Sequence, residues 1–368
     1  MRNATKIFYR QFDGSHQSRT IWLGWVIFLL GCFLAGTSPA IAQDKQTEPE
    51  GDSITIEATL VTIPVIVTDA QGKYIQQLKV EDFKIFDNNT AQQINFFDAA
   101  DAPLHMALLI DTSYSTSGVL KEIKEAGITF LRQLRPKDKA MVISFDSEVR
   151  VLTELTDDPI LMERAVAKAE IGKKYGTRLH DALAEAIQNQ FKSIVGRKAI
   201  VLLTDGKDLK SKLNEKAVFG IASETSSMIY TIFFMTESVV VPPDASKTEP
   251  DAKAAPSRPR KVGEKQSKEE QVRTLLTDIK ARREWMEQKN ASARKFLDEL
   301  ATTTGGRSFT SEVADLKQVF RLIADELRTQ YTLGFYPSED TPTSDRHVLK
   351  VEVARPEVVI RARRNYRP

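Results

Sequence analysis

The chain has 368 residues, of which 41% are hydrophobic and 28% are charged, and its formal net charge is +2. This length and hydrophobic content are sufficient for two globular domains with ordinary cores. A nearly neutral charge provides no basic footprint for nucleic acid or for an anionic membrane surface. We therefore predict no nucleic-acid partner, and we interpret the short Arg-rich end of the chain as a solvated strand end.

The first 42 residues have the pattern of an export signal. Basic residues precede an apolar run from Ile21 to about Gly36, and Ala40 and Ala42 then form a small-residue cleavage site before Gln43. The run is shorter than the ~20 residues that a membrane-spanning helix needs. We expect cleavage and a mature protein in the periplasm or outside the cell, with no membrane span. The alternative is an uncleaved N-terminal segment that anchors the protein to the membrane.

Cys32 is the only cysteine, and it lies inside this signal segment. The mature chain is therefore predicted to have no disulfide, although it is exported. The sequence Leu29-Leu30-Gly31-Cys32 loosely resembles a lipidation site. The apolar run continues after Cys32, which argues against lipidation there.

Residues 43–52 are polar, and we predict that they are disordered. From residue 53 to residue 101 the pattern changes to β-strands. A β-branched stretch with partial alternation is followed by a turn at Asp69–Gly72, and a hairpin is predicted around Asn88 and Asn89. This segment is expected to be the N-terminal part of a small β domain.

Residues 102–330 alternate apolar strands with amphipathic helices, which predicts an α/β fold with a doubly wound, mostly parallel sheet. The pattern is interrupted by a stretch rich in Pro, Lys, Glu, Ala and Ser. We predict a mobile insertion over residues 241–290, with a charged helical stretch beginning at about Thr274. The predicted strands of this domain are Met106–Ile110, Met141–Phe145, Ile200–Leu203 and Met228–Phe234.

Residues 331–368 return to strand patterns. Neither these strands nor those of residues 53–101 are sufficient alone for a stable two-faced core. We therefore predict that the two segments complete one β-sandwich-like domain, with the α/β domain inserted between them. The alternative is that the C-terminal strands extend the α/β sheet.

Oxygen-bearing side chains follow two of the apolar strands. The sequence LLIDTSYSTSG places Asp111, Ser113 and Ser115 after one strand, AIVLLTDGKD places Asp205 after another, and GTRLHDAL supplies Thr177 ahead of a helix. Ligands bind at the carboxyl ends of the strands in an open α/β sheet. One carboxylate and two hydroxyls form a hard oxygen site that suits Mg²⁺ rather than zinc or copper. Ordinary turns and a helix cap at Thr177 are the alternatives.

The order Asp-x-Ser-x-Ser, Thr, Asp resembles the metal-ion-dependent adhesion site of von Willebrand factor type A domains. With the flanking β segments, the chain also resembles a family of secreted bacterial proteins related to them, the VWFA-related acidobacterial domain family. The resemblance implies a Rossmann-like fold and a bound Mg²⁺, with Mn²⁺ or Ca²⁺ as alternatives. The sequence departs from the type A pattern at Tyr114, where Gly is common, and at His180, where Tyr is common. The implied metal ligands are Asp111, Ser113, Ser115, Thr177 and Asp205.

The resemblance implies an exported adhesion or protein-interaction module whose metal binds an Asp or Glu carboxylate of a protein partner. The alternatives are a metal-dependent hydrolase and an accessory subunit of an envelope assembly or of an ATPase machine. The sequence has neither a G-x-S-x-G elbow nor an H-E-x-x-H motif, and its histidines are scattered. We therefore predict that the protein is not an enzyme and that it has no catalytic residues.

Overall fold

The computed structural model describes residues 59–235, 268–338 and 346–367. The predicted signal at 1–42, the predicted disordered segment at 43–52 and residues 241–267 of the predicted insertion lie outside the described residues. Helix α5 (Lys268–Thr303) begins within the predicted insertion, so that residues 268–290 of it are helical. Within the described ranges, no helix has both the length and the apolar character needed to cross a bilayer.

A six-stranded sheet of strand order β10-β9-β8-β5-β6-β7 is the centre of the α/β domain in the described part of the chain. Strand β5 lies in its interior and pairs in parallel with β6 and β8, whereas edge strand β7 runs antiparallel to β6. Strands β5 and β8 are almost entirely buried, as their continuous apolar runs predict. The prediction of an α/β fold with a mostly parallel sheet is confirmed. The strands are β5 (Leu104–Asp111), β6 (Lys139–Phe145), β7 (Val149–Thr156), β8 (Arg197–Thr204), β9 (Met228–Phe234) and β10 (Ser308–Ser311).

Helices cover both faces of this sheet and bury their apolar sides against it. One face carries α1 (Leu120–Leu131), α2 (Pro159–Lys168) and α6 (Leu316–Leu327). The other face carries α3 (Leu179–Ala184), α4 (Glu215–Glu224) and α5. Helix α3 continues into a π-helical turn at Glu185–Gln190 instead of one regular helix.

Two four-stranded antiparallel sheets, of order β13-β1-β11-β4 and β14-β12-β2-β3, enclose a separate apolar core. Strand β1 lies between two strands from the end of the chain, because Val65 is opposite both Tyr331 of β11 and Ala362 of β13. In the described residues the C-terminal strands pair within these two sheets rather than with the six-stranded sheet. The strands are β1 (Val61–Asp69), β2 (Phe83–Asp87), β3 (Thr90–Gln92), β4 (Phe96–Asp98), β11 (Tyr331–Phe335), β12 (His347–Val353), β13 (Val358–Ala362) and β14 (Asn365–Tyr366).

The turn between β2 and β3 has the backbone that a two-residue hairpin requires. Asn88 and Asn89 have φ angles of 46° and 67°, and asparagine tolerates this left-handed region better than most residues. The hairpin predicted around Asn88 and Asn89 therefore lies at this position. The exact boundaries of the domains remain a prediction.

Candidate metal site

The two aspartates of the predicted site lie at the same end of the six-stranded sheet, where its parallel strands have their carboxyl ends. Asp111 is the last residue of β5, and Asp205 directly follows β8, the parallel neighbour of β5. Asp111 is 0% exposed and Asp205 is 1% exposed. Burial of an unpaired carboxylate is costly, so both acids need polar or cationic neighbours.

The Asp-x-Ser-x-Ser sequence folds into a compact turn. The Oδ1 atom of Asp111 accepts a hydrogen bond from the backbone N of Ser113 at 2.9 Å. The hydroxyl of Thr116 donates to the carbonyl oxygen of Ser113 at 2.8 Å and closes the turn. The Oγ atoms of Ser113 and Ser115 are then 3.1 Å apart. The turn thus brings two of the predicted hydroxyl ligands together.

Thr204 supports Asp111 from the neighbouring strand. Its hydroxyl donates to Oδ2 of Asp111 at 2.7 Å and accepts a hydrogen bond from the backbone N of Gly206 at 2.9 Å. Sequence reasoning missed this residue, although its place just before Asp205 at the end of β8 was visible. Thr204 fixes the orientation of the Asp111 carboxylate and links the two strand ends.

The electrostatic environment of Asp111 is unfavourable for a free carboxylate. Burial, followed by the negative charge of Asp205, raises the pKa of Asp111 to about 7, against the hydrogen bonds from Ser113 and Thr204. The carboxylate of Asp205 accepts a hydrogen bond from Nζ of Lys207 at 2.8 Å. A cation between the two acids would relieve their repulsion.

The loop of Thr177 is joined to the loop of Asp205 through the backbone. The carbonyl oxygen of Thr177 accepts hydrogen bonds from the backbone N atoms of Leu209 and Lys210, each at 3.0 Å. Thr177 is 3% exposed. The N-cap residue of α3 is Arg178, so Thr177 does not occupy the N-cap position that was its alternative role.

A third buried acid, Asp146, supports the same end of the sheet. Asp146 follows β6, is fully buried, and accepts hydrogen bonds from the hydroxyl of Thr112 at 3.1 Å and from Arg150 at 2.6 Å. The backbone N of Gly172 donates to the carbonyl oxygen of Thr112 at 3.0 Å. These contacts hold the loop after β5 from its other side. Sequence reasoning missed Asp146, which also stands directly after an apolar strand.

Two polar residues near Thr177 have structural roles. Nδ1 of His180 lies 3.0 Å from the carbonyl oxygen of Leu213, and the imidazole ring packs 5.2 Å from the ring of Phe296. The carboxylate of Asp181 accepts hydrogen bonds from the backbone N atoms of Lys212 and Leu213, at 3.0 and 3.2 Å. Asp181 therefore holds the loop that leads into α4.

The donor set fits a hard divalent cation. Among the described residues, no three His, Cys, Asp or Glu side chains are grouped so that they could hold a metal. The candidate ligands are instead two aspartates and the hydroxyl groups of serine and threonine residues, which are oxygen donors of low total charge. Mg²⁺ and related ions prefer such oxygens, whereas zinc and copper prefer imidazole and thiolate.

Comparison with known proteins identifies the α/β domain. Residues 106–207 match the family model of the von Willebrand factor type A domain. An uncharacterised protein of Synechocystis sp. is 28% identical over 137 residues, and the alignment covers 36% of this chain and only 32% of that relative.

The solved structures to which this chain is similar are distant from it in sequence. BatB of Bacteroides thetaiotaomicron is 16% identical, with a TM-score of 0.42, and the match covers 61% of this chain and 97% of BatB. A von Willebrand factor type A protein of Catenulispora acidiphila is 12% identical, with a TM-score of 0.44, and the match covers 76% of this chain and 71% of that one. The match to the family model confirms the resemblance read from the motif: this chain contains a von Willebrand factor type A domain.

Proposed function

We propose that the carboxyl edge of the six-stranded sheet holds a divalent cation, Mg²⁺ with Mn²⁺ or Ca²⁺ as substitutes, and that the protein uses this ion to bind a carboxylate of a protein partner. The observation that carries the proposal is the burial of two acids, Asp111 and Asp205, at the carboxyl ends of the neighbouring parallel strands β5 and β8. The proposed ligands are Asp111, Ser113, Ser115, Thr177 and Asp205.

Charge is the reason to expect an anionic partner. Two aspartates at most neutralise a dication, the hydroxyls add no charge, and Lys207 already pairs with Asp205 at 2.8 Å. Mg²⁺ prefers about six oxygen ligands. An Asp or Glu of a partner would supply both the missing negative charge and a further oxygen.

The positions of the histidines favour binding over hydrolysis. His180 is committed to Leu213 and Phe296, His105 lies at the amino end of β5, and His347 belongs to β12 in the β sandwich. Nδ1 of His180 thus already has a structural partner, and His105 and His347 lie away from the carboxyl ends of β5 and β8. We therefore propose a non-enzymatic interaction module that is exported by its N-terminal segment and acts in the periplasm or outside the cell.

The metal is tested first, without a partner. Mn²⁺ binding is measured by electron paramagnetic resonance, and Mg²⁺ binding by calorimetry, for the wild type, Asp111→Ala and Asp157→Ala. Asp157 is the matched control, because it is exposed and follows β7. Since β7 is antiparallel to β6, Asp157 lies at the end of the sheet where the parallel strands begin. We expect one ion per chain in the wild type and the control, and at least tenfold weaker binding in Asp111→Ala. Equal affinities in all three proteins would refute the metal site.

The partner is tested next by retention of envelope proteins on the immobilised protein. We expect a protein that is retained in Mg²⁺, released by EDTA and absent with Asp111→Ala. Loss of one charged contact in such a site costs about 2–5 kcal/mol, or roughly thirtyfold or more in affinity. A partner that binds equally in EDTA and to Asp111→Ala would place the interface elsewhere, for example on the β sandwich.

A further inference from the structure

The side chain of Lys207 places a positive charge of the chain itself next to a proposed metal ligand. Its Nζ is 2.8 Å from Oδ2 of Asp205, and its backbone N is 3.3 Å from Oδ1 of the same carboxylate. The side chain of Asp205 is 2% exposed and that of Lys207 is 29% exposed. The ammonium group therefore reaches from the surface onto a buried proposed ligand.

The turn that returns Lys207 to Asp205 depends on Gly206. Gly206 has a φ of 73°, in the left-handed region that favours glycine. A Cβ at this position would stand 2.7 Å from Cβ of Ala293 in α5. A tight turn that packs against α5 thus positions Lys207 next to Asp205. The contact is therefore more constrained than an ion pair between two exposed side chains.

Other cations at this edge of the sheet pair with other acids. Arg150 binds Asp146 at 2.6 Å, and Lys174 lies 3.1 Å from Glu148. Within the part of the chain that the structure describes, Lys207 forms an ion pair with a proposed metal ligand, Asp205. The same carboxylate would then face both an ammonium ion and a dication, and two like charges at one carboxylate oppose each other.

We propose that Lys207 is the built-in counter-ion of the site: it competes with the divalent cation for Asp205 and supplies a second positive contact for the carboxylate of the partner. This inference rests on the proposed function. Without a partner, the two cations repel each other and the metal is held weakly. A partner carboxylate attracts both cations. The bound metal therefore raises the affinity for the partner, and the bound partner raises the affinity for the metal by the same factor.

This arrangement selects the class of partner. A neutral oxygen, such as an amide or a hydroxyl, can bind a metal ion but cannot offset the charge of Lys207. A carboxylate does both. Because of Lys207, the affinity of the site should depend on the full negative charge of the partner group. This dependence should be stronger than for a metal ion with neutral surroundings.

The test compares Lys207→Met and Lys207→Arg with the matched control Lys173→Met in the full chain. Lys173 is exposed on the neighbouring loop and lies outside the proposed ligand set. Mn²⁺ affinity is measured by electron paramagnetic resonance with and without acetate as the simplest carboxylate probe, and the melting temperature is measured in EDTA.

We expect Lys207→Met to bind Mn²⁺ at least tenfold more tightly than the wild type without acetate, and to gain less affinity when acetate is added. It should also melt at a lower temperature in EDTA, because Asp205 loses its counter-ion. Lys207→Arg and Lys173→Met should resemble the wild type. If the wild type binds Mn²⁺ and Lys207→Met binds it equally well, the counter-ion role is wrong while the metal site stands. If Asp111→Ala leaves Mn²⁺ binding unchanged, the proposed function fails, and with it this inference.

Discussion

Oδ1 of Asp87 and Nδ1 of His347 lie 2.9 Å apart, although 260 residues separate them in the chain. The hydroxyl of Tyr366 donates to Oδ2 of the same aspartate at 2.6 Å. All three side chains are buried, where β2, β12 and β14 pair. Burial, and then the hydrogen bond to Asp87, raises the pKa of Tyr366 above its usual value, so its hydroxyl stays a donor. This buried polar contact ties an N-terminal strand to the last strand of the chain.

The first prediction concerns the hydroxyl of Tyr366. Tyr366→Phe leaves a buried aspartate short of one donor, which should cost about 1–3 kcal/mol of the free energy of unfolding. Tyr336→Phe is the matched control, because Tyr336 is 46% exposed. Urea unfolding of both variants measures the difference. Equal midpoints would show that the hydrogen bond to Asp87 contributes nothing to stability.

The second prediction concerns the strands that flank β1. A chain that ends at Gln330 lacks both β11 and β13, which are the pairing partners of β1. The backbone amides of β1 should then exchange with deuterated water at least a hundredfold faster than in the full chain. Strand β5 is the internal control, because its partners β6 and β8 remain. Full protection of β1 in the shortened chain would contradict a sandwich shared between the two ends of the chain.

The strand ends at the candidate site could be predicted from sequence because the signals are local. A fully apolar run followed by Asp111 or Asp205 marks a buried parallel strand and its carboxyl end. The supporting contacts could not be predicted in this way. Thr204 reaches Asp111 across 93 residues, and Thr112 reaches Asp146 across 34. Such contacts depend on which strands are neighbours, and the order of strands in a sheet is not encoded in any short segment.

The third prediction concerns the close approach of Gly172 to Asp146. A Cβ at Gly172 would stand 2.6 and 2.7 Å from the two carboxylate oxygens of Asp146, which are held by Arg150. Gly172→Ala should therefore destabilise the protein by about 1–3 kcal/mol, the range for overpacking. It should also shift the loop after β5 and weaken Mn²⁺ binding.

Gly220→Ala is the control for this substitution, because Gly220 lies in α4 and a Cβ there would meet nothing within 4 Å. Alanine in a helix is favoured over glycine by about 0.5–1 kcal/mol. In thermal unfolding, Gly172→Ala should thus have a lower melting temperature than the wild type, and Gly220→Ala a higher one. Stabilisation by Gly172→Ala would mean that the carboxylate of Asp146 moves freely, and that it does not hold the loop in place.

The fourth prediction concerns Lys198, a buried lysine at the start of β8 whose Nζ donates to the carbonyl oxygen of Ile194 at 2.7 Å. Burial, and then the charge of Arg363, lowers its pKa from 10.5 to about 8. Between these two values the unfolded chain binds a proton that the folded chain lacks, so this group makes the protein more stable as pH rises through that window. Below pH 8 the folded chain carries the full cost of a buried ammonium ion.

Lys198→Met keeps most of the side-chain length and removes the charge. The lowered pKa means that the buried charge destabilises the wild type by at most about 3 kcal/mol at pH 7. The variant avoids this cost but loses the hydrogen bond to Ile194, which offsets about 1 kcal/mol of the gain. We therefore expect the variant to be about 1–2 kcal/mol more stable than the wild type at pH 7 in urea unfolding, by these two terms. The advantage should disappear near pH 10, because the wild-type lysine is then neutral in the folded state. Lys192→Met, at an exposed position, should show no such change with pH. A constant difference between Lys198→Met and the wild type from pH 7 to pH 10 would mean that packing, and not the buried charge, determines the effect of this lysine on stability.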